Sequence, residues 1–453
     1  MAKAPVAKNQ EFTVTIEDLS YEGMGVAKLD HYPLFVEGAL PGETVVIRVV
    51  KAEKKYAFAR LIQVVTPSPD RVTPKAQAYA QTGIAPLQHL AYPAQLKFKQ
   101  HQIEMLYHKA QLAIPVRPTL GMTTPYGYRN KAQIPVRAIA GVVTTGFYKR
   151  RSHELIPLTD FYIQDPKIDA AVLVVRDLLR QYNVPAYDEA TNSGVIRHIM
   201  VRRGYYSHQM MIVLVSRTWV VPHQAELVAG IKAALPEVTS IMLNLNERAT
   251  NVILGPKTRT LDGNDYLEDQ LLGSTFRISP LSFYQVNPTQ TEVLYTAAVR
   301  AAGLTGREVV IDAYSGIGTI SLTMAEHAKQ VYGVEVVPEA VRDAKANARL
   351  NGVTNAEFLV GRAEDVMQTW KDQGLHADVL MVDPPRKGLA PEFIAAVGVM
   401  LPPKLVYVSC NPATLARDIA ALQAFGYRAT ATQPVDMFPQ TTSIESVTAL
   451  TLG

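Results

Sequence analysis

The sequence predicts a multidomain α/β protein: a small β-barrel at the amino end, an α+β middle, and a doubly wound, mostly parallel Rossmann-like sheet at the carboxyl end. Three observations predict it. Period-2 alternation broken by Gly and Pro-Gly turns fills the first segment, strand-like and helical stretches mix over 122–280, and from about residue 290 strands alternate regularly with helices. At 453 residues the chain is longer than the ~250–300 at which one core stops growing, and we divide it at 1–66, 67–280 and 281–453. Apolar residues make up 48% and charged residues 19%, which excludes wholesale disorder. No stretch approaches the ~20 apolar residues of a membrane span, and the start MAKAPVAKNQ lacks the apolar core of a signal peptide. A cytoplasmic location away from membranes is therefore expected. A single cysteine, Cys410, excludes an internal disulfide and any cysteine-only metal site.

In the first segment, Phe12, Val14 and Ile16 alternate, Gly23-Met24-Gly25 makes a turn, and Val45–Val50 runs as a strand. Such strands suit an oligonucleotide-binding type of barrel. Lys51, Lys54, Lys55, Tyr56, Phe58 and Arg60 interleave bases with aromatics, as a surface gripping phosphates and stacking bases needs, although an ordinary two-faced strand has the same pattern. Thr66-Pro67-Ser68-Pro69-Asp70 is the first linker. A long helix is predicted over 91–113, and the middle adds the strand Met210–Val215 and helices near 168–181 and 222–234. Charge divides along the chain. Lys+Arg against Asp+Glu is 8 to 8 over residues 1–65, 24 to 16 over 66–280 and 13 to 17 over 281–453. A basic middle suits a polyanionic partner, although runs such as Lys149-Arg150-Arg151 and Arg202-Arg203 also serve as solvated faces.

In the last segment the strand candidates are Val309–Ala313, Val331–Glu335, Glu357–Val360, Val379–Val382 and Leu405–Val408, and ligands of such sheets bind beyond the carboxyl ends of the strands. After the first strand come Asp312-Ala313-Tyr314-Ser315-Gly316-Ile317-Gly318-Thr319. Gly316 and Gly318 allow close approach of a ligand, and Glu335 can accept hydrogen bonds from ribose hydroxyls. Position 321 is Ser and no basic pair awaits a pyrophosphate, so the pattern favours S-adenosylmethionine over NAD. After the fourth strand stands Asp383-Pro384-Pro385-Arg386, whose prolines stiffen a loop that aims Asp383 and Arg386 outward. After the fifth, Ser409-Cys410-Asn411-Pro412 places a thiol beside a helix N-terminus, where thiolate is favoured. A lone Cys is more often a small buried hydrophobe. A nucleophile here suits pyrimidine C5, which becomes able to attack a methyl group only after thiolate addition at C6. A base must then remove the C5 proton, and Glu445 is the candidate, with a solvated loop carboxylate as its alternative.

Together, Phe283-Tyr284-Gln285-Val286-Asn287, the Asp312–Thr319 loop, Glu335, Asp383-Pro384-Pro385-Arg386, Ser409-Cys410-Asn411-Pro412 and Phe438-Pro439-Gln440-Thr441 resemble the RNA uracil-5 methyltransferase family. Residues 11–65 resemble its TRAM RNA-binding barrel, and Tyr126–Lys131 resembles a central motif. The resemblance implies Cys410 as nucleophile, Glu445 as general base, Asp383 in the uracil pocket, and Gln285, Tyr314, Gly316, Gly318, Glu335 and Asp383 around S-adenosylmethionine. It also implies that the helix near 91–113 packs on the catalytic domain.

Two departures from the family stand out. Members with an iron–sulfur cluster carry three of four cysteines shortly before a Leu-Gln-His-Leu motif, here Leu87–Leu90, but the matching positions are Ala76, Thr82 and Ala85, with the fourth near Phe161. A metal-free protein is expected. Ser443 stands where the family usually has His, two residues before the base. The expected activity is methylation of uridine C5 in RNA, 23S ribosomal RNA by resemblance to cluster-free bacterial members, with no obligate protein partner. Transfer RNA is one alternative substrate. An amino-methylating enzyme would normally follow Asp-Pro-Pro with an aromatic residue, and an RNA-binding assembly factor with a vestigial catalytic domain would not need Cys410 and Glu445.

Overall fold

The computed structural model describes residues 4–150 and 152–453. Arg151 of the basic run lies outside them. The first six strands form one sheet in which Glu11–Thr15 pairs with Thr44–Ala52, while the continuation of the same strand, Asp18–Leu19, pairs with Gly25–Leu29. One chain segment thus bridges both edges of the sheet and curls it into a barrel, filled by Val14, Ile16, Leu34, Val36, Val45 and Ile47.

The linker predicted at 66–70 is tied down. The strand Ala57–Thr66 runs through its first residue, Ser68 is buried, and the Ser68 N–H donates to the fully buried Glu43 carboxylate. That carboxylate also accepts from Arg71 at 2.8 Å. A buried charge is tolerated only when it is paired and hydrogen-bonded, so this crossing is a fixed joint.

The middle is a seven-stranded sheet ordered Lys257–Gly263, Val238–Leu245, Met210–Ser216, Ile196–Arg203, Lys131–Ile139, Val142–Tyr148, Leu155–Pro157. Helices Pro166–Gln181 and Gln224–Ala234 cover one face. The other face sends Met200, Met211, Val213 and Met242 into the core of the carboxyl-terminal region. The hairpin of Leu267–Leu271 and Ser274–Ile278 joins that same core, its Thr275 and Arg277 N–H groups donating at 2.8 Å to Asn351 and Asn347 of the catalytic region.

The carboxyl-terminal sheet has strands β1 (Val309–Asp312), β2 (Gln330–Glu335), β3 (Ala356–Val360), β4 (Val379–Val382), β5 (Lys404–Ser409), β6 (Tyr427–Val435) and β7 (Glu445–Leu452). Their order is β3-β2-β1-β4-β5-β7-β6, with the first five parallel and β7 antiparallel to both neighbours. The near-continuous apolar runs of β4 and β5 reflect burial on both faces. The helix Tyr92–Lys109 lies far from these strands in sequence but packs on them: Ile103 and Tyr107 enter their core, and the Tyr107 hydroxyl bonds the Thr432 hydroxyl at 2.7 Å. Among the described residues no helix is long and apolar enough to cross a membrane.

Candidate active site

Each loop after a parallel strand is pinned by short-range chemistry. Gly318 adopts φ +89 and starts the helix Thr319–Ala325; a Cβ there would sit 3.1 Å from the Phe358 ring. Asp312 accepts from the Tyr314 N–H and, at 2.6 Å, from the Ser321 hydroxyl. The serine that breaks the dinucleotide pattern is therefore the anchor of the loop. Glu335 accepts from the N–H of Gly316 at 3.2 Å and of Val337 at 2.9 Å, which joins the second strand's carboxylate to the glycine loop. The half-buried Tyr314 packs on Phe393 with ring centroids 5.6 Å apart.

The Asp383-Pro384-Pro385-Arg386 loop closes on Asp418, a buried residue the sequence did not single out. One Asp418 oxygen accepts from Tyr407 Oη and Leu389 N, both at 2.8 Å, and Gly388 must be glycine because a Cβ would meet that oxygen at 2.4 Å. Asn411 caps the helix Pro412–Gln423 by accepting from the Ala413 N–H, and its amide donates to the Arg386 carbonyl at 2.8 Å. The loops bearing Asp383 and Cys410 therefore form one unit.

Glu445 reaches the site by a different route. Ser409 pairs with Ser446, so at the strand ends Cys410 and Glu445 come side by side. Glu445 is only 4% exposed, which excludes a solvated loop carboxylate. Val435 pairs with Glu445, and the loop between them is held by residues far away in sequence. Lys99, fully buried, contacts the buried Asp436 at 2.5 Å and the Phe438 carbonyl at 3.0 Å. Gln95 and Gln440 exchange two hydrogen bonds, at 3.0 and 2.9 Å, and Tyr128 donates to the Pro439 carbonyl. Sequence reasoning missed Gln95 and Lys99; the one available signal was their helical spacing with the apolar residues Phe98, Ile103 and Tyr107. Ser443 lies on this loop, where its N–H donates to Thr441 Oγ1.

The electrostatics correct one expectation. Burial, then the charges of Glu445 and Asp383, push the Cys410 thiol up to about 12, outweighing Arg386 and a backbone N–H. Asp383 is half-buried, not aimed outward, and burial followed by the charge of Asp312 pushes it up to about 7. Burial and Asp383 raise Glu445 well above the usual carboxylate range, with Arg386 opposing. Like charges this close resist ionising together. Tyr295, also missed, borders the group: its hydroxyl lies 3.1 Å from Thr319 Oγ1, and burial and then Asp383 raise its pKa.

Gln285 is buried on the segment before the helix Pro288–Ala302, and its carbonyl accepts from the Asn130 amide at 3.4 Å. Among the described residues the side chains of Gln285, Asp383, Arg386 and Glu445 make no hydrogen bond to protein, while the neighbouring carboxylates Asp312, Glu335, Asp418 and Asp436 all do. Asp383, Arg386, Cys410 and Glu445 lie close enough to act on one another electrostatically. The positions matching a cluster site do not fit one: Ala85 and Phe161 are buried in an apolar core, Thr82 bonds the Tyr79 carbonyl, and none offers thiolate.

Residues 5–62 match the TRAM domain model and residues 239–452 match the model described as tRNA (Uracil-5-)-methyltransferase. An RNA methyltransferase of Lactiplantibacillus plantarum is 57% identical, covering 98% of each chain, and one of Enterococcus faecalis is 52% identical over 100% of this chain and 99% of its own. This chain belongs to the RNA uracil-5 methyltransferase family. A crystal structure described as Pyrococcus abyssi tRNA (uracil-54, C5)-methyltransferase in complex with S-adenosyl-L-homocysteine is similar in fold, with TM-score 0.77 over 97% of this chain and 99% of that one, at 24% identity. Within the family fold, the Asp383, Cys410 and Glu445 cluster sits where a doubly wound sheet presents its ligand edge.

Proposed function

We propose that this family member methylates C5 of uridine in RNA with S-adenosylmethionine as methyl donor, and that its substrate is 23S ribosomal RNA. The observation that carries the chemistry is the convergence of Asp383, Arg386, Cys410 and Glu445, with no protein hydrogen bond to the Asp383, Arg386 or Glu445 side chain. For the donor, the Gly316–Gly318 turn leaves open space at Gly316 and Glu335 is fixed beside it for ribose hydroxyls, and the family resemblance adds Gln285 and Tyr314. Once bound, the donor supplies an electrophilic methyl carbon. The fold it shares with the Pyrococcus abyssi complex supports this choice.

Cys410 loses its proton and adds to C6 of uracil, which shifts the ring's electron pair to C5 and O4. C5 then takes the methyl group. Glu445, whose raised pKa favours its protonated form in the unliganded site, must act as the carboxylate: in that form it removes the C5 proton, the C5–C6 double bond re-forms, and the thiolate leaves. A thiol held near 12 does not ionise unaided, so the site needs an acceptor for its proton, and Asp383, near 7, is the carboxylate available at neutral pH. Desolvation keeps water from competing with the uracil.

The ribosomal substrate rests on the resemblance to cluster-free bacterial members and on the basic 66–280 segment. A second reading, transfer RNA, is favoured by the description of the matching family model and of the Pyrococcus abyssi protein. Mapping 5-methyluridine in 23S ribosomal and transfer RNA from a deletion strain decides. Loss of a ribosomal 5-methyluridine supports the first, loss of a transfer-RNA one the second, and no change in either contradicts both.

A further inference from the structure

On the face of the central sheet toward the catalytic region, Lys131 stands directly opposite Arg202 in the antiparallel register. Like charges so placed repel. Arg202 is 2% exposed; its Nη2 donates to the Ser282 carbonyl at 3.0 Å, while Nε and Nη1 are buried with no partner. Arg129 and Lys131, with Gln133, Gln164, Ile253 and Thr441, line a cavity of about 300 Å³. Among the described residues neither the Arg129 nor the Lys131 side chain makes a hydrogen bond, and no carboxylate pairs with any of the three cations. The adjoining Arg203 is different, being paired with Asp165 at 2.9 Å and Glu237 at 3.4 Å. Burial, then Arg202 and Arg129, push Lys131 down to about 7.

The cavity adjoins the chemistry. Thr441 belongs to the loop that delivers Glu445, and Asn130, between the two lining cations, donates its N–H to the Val286 carbonyl at 2.9 Å, next to Gln285. Cations withdrawn from water without counter-charges are costly until an anion joins them. Enzymes that act on a base draw it out of its stack, and this requires the flanking backbone to be held. Arg and Lys are the groups that hold phosphate.

We propose that the cavity lined by Arg129 and Lys131, backed by Arg202, binds the RNA phosphate beside the target uridine and fixes the strand while the base enters the Cys410–Glu445 pocket. This rests on the RNA-methylating function proposed above. The test measures binding of an unmodified 23S ribosomal RNA transcript to full-length wild type, Lys131→Met and Arg129→Met across a salt series, together with S-adenosylmethionine affinity and single-turnover methylation. Each variant should bind the transcript at least about tenfold more weakly, with the slope of log affinity against log salt reduced by about 0.7–0.9. S-adenosylmethionine affinity should not change, and Lys131→Arg should keep the wild-type slope. If wild type methylates the transcript and both variants match it in slope and affinity, the phosphate site is overturned while the activity stands. If wild type methylates neither this transcript nor total RNA from a deletion strain, the underlying function fails and the site with it. If a Met variant loses S-adenosylmethionine binding, Lys131→Gln takes its place, and an unchanged slope there likewise overturns the proposal.

Discussion

The Asp383 and Cys410 loops and the Glu445 loop meet at one site but are built on opposite principles. Asp383 and Cys410 each follow a parallel strand at once, and their loops are pinned to each other by Asn411 and Asp418, all within residues 383–418. Glu445 begins an antiparallel strand whose preceding loop is clamped by Gln95 and Lys99, more than 300 residues earlier in the chain. The nucleophile is thus positioned by the catalytic sheet itself, whereas the base depends on a helix that leaves the barrel side of the molecule to pack on that sheet.

The largest expected effect lies on the local side of this contrast. Cys410→Ala should abolish methylation and any covalent RNA adduct while RNA and donor binding persist; an adduct in this variant, seen on a denaturing gel, would break the assignment. On the distant side, Lys99→Met should leave Asp436 buried with the Phe438 N–H but without its cation, costing about 3–5 kcal/mol in denaturant unfolding. Replacing both partners with apolar residues should recover most of that loss. If Lys99→Met unfolds like wild type, the clamp does not support the loop.

Asp383 links the two arms and gives a pH test. It holds its proton more tightly folded (about 7) than unfolded (about 3.8), so between these values the folded state binds more protons and its stability falls as pH rises; the loss is complete above 7. Asp383→Asn should therefore melt higher than wild type at pH 8, with the difference vanishing near pH 3, as thermal scans at the two pH values would show. An advantage that persists at low pH would place its cause outside this titration. The smallest effect is expected from Asn411→Ala, which removes a helix cap and should cost roughly 1 kcal/mol. The same change releases the Arg386 carbonyl, so a fall in kcat larger than the stability loss explains would sharpen the link between the two loops.

This division also explains what was legible. The five parallel strands fell within a residue or so of their predicted limits: burial on both faces writes β4 and β5 as short apolar runs, and Asp383 and Cys410 follow those two directly. The barrel was visible as alternation, but its closure through a bend between Thr15 and Asp18 was not, since the same alternation serves an open sheet. Thr66–Asp70 carried the composition of a linker, and only the buried Glu43 across the barrel makes it a joint. The state of Cys410 was misjudged for a related reason: the helix end is local and readable, while the burial and the charge of Glu445, which raise the thiol, depend on how the strands pack and pair. Lys99 went unnoticed because its partner, Asp436, is 337 residues away.

The division of labour between Cys410 and Glu445 is tested most directly by incubating Glu445→Gln with unmodified RNA and S-adenosylmethionine and resolving the products by denaturing electrophoresis. Addition precedes methyl transfer and proton removal follows it, so this variant should retain methylated RNA covalently bound through Cys410, with turnover reduced by about 10²–10⁴-fold. Release of free 5-methyluridine-containing RNA at the wild-type rate, with no adduct, would contradict the account.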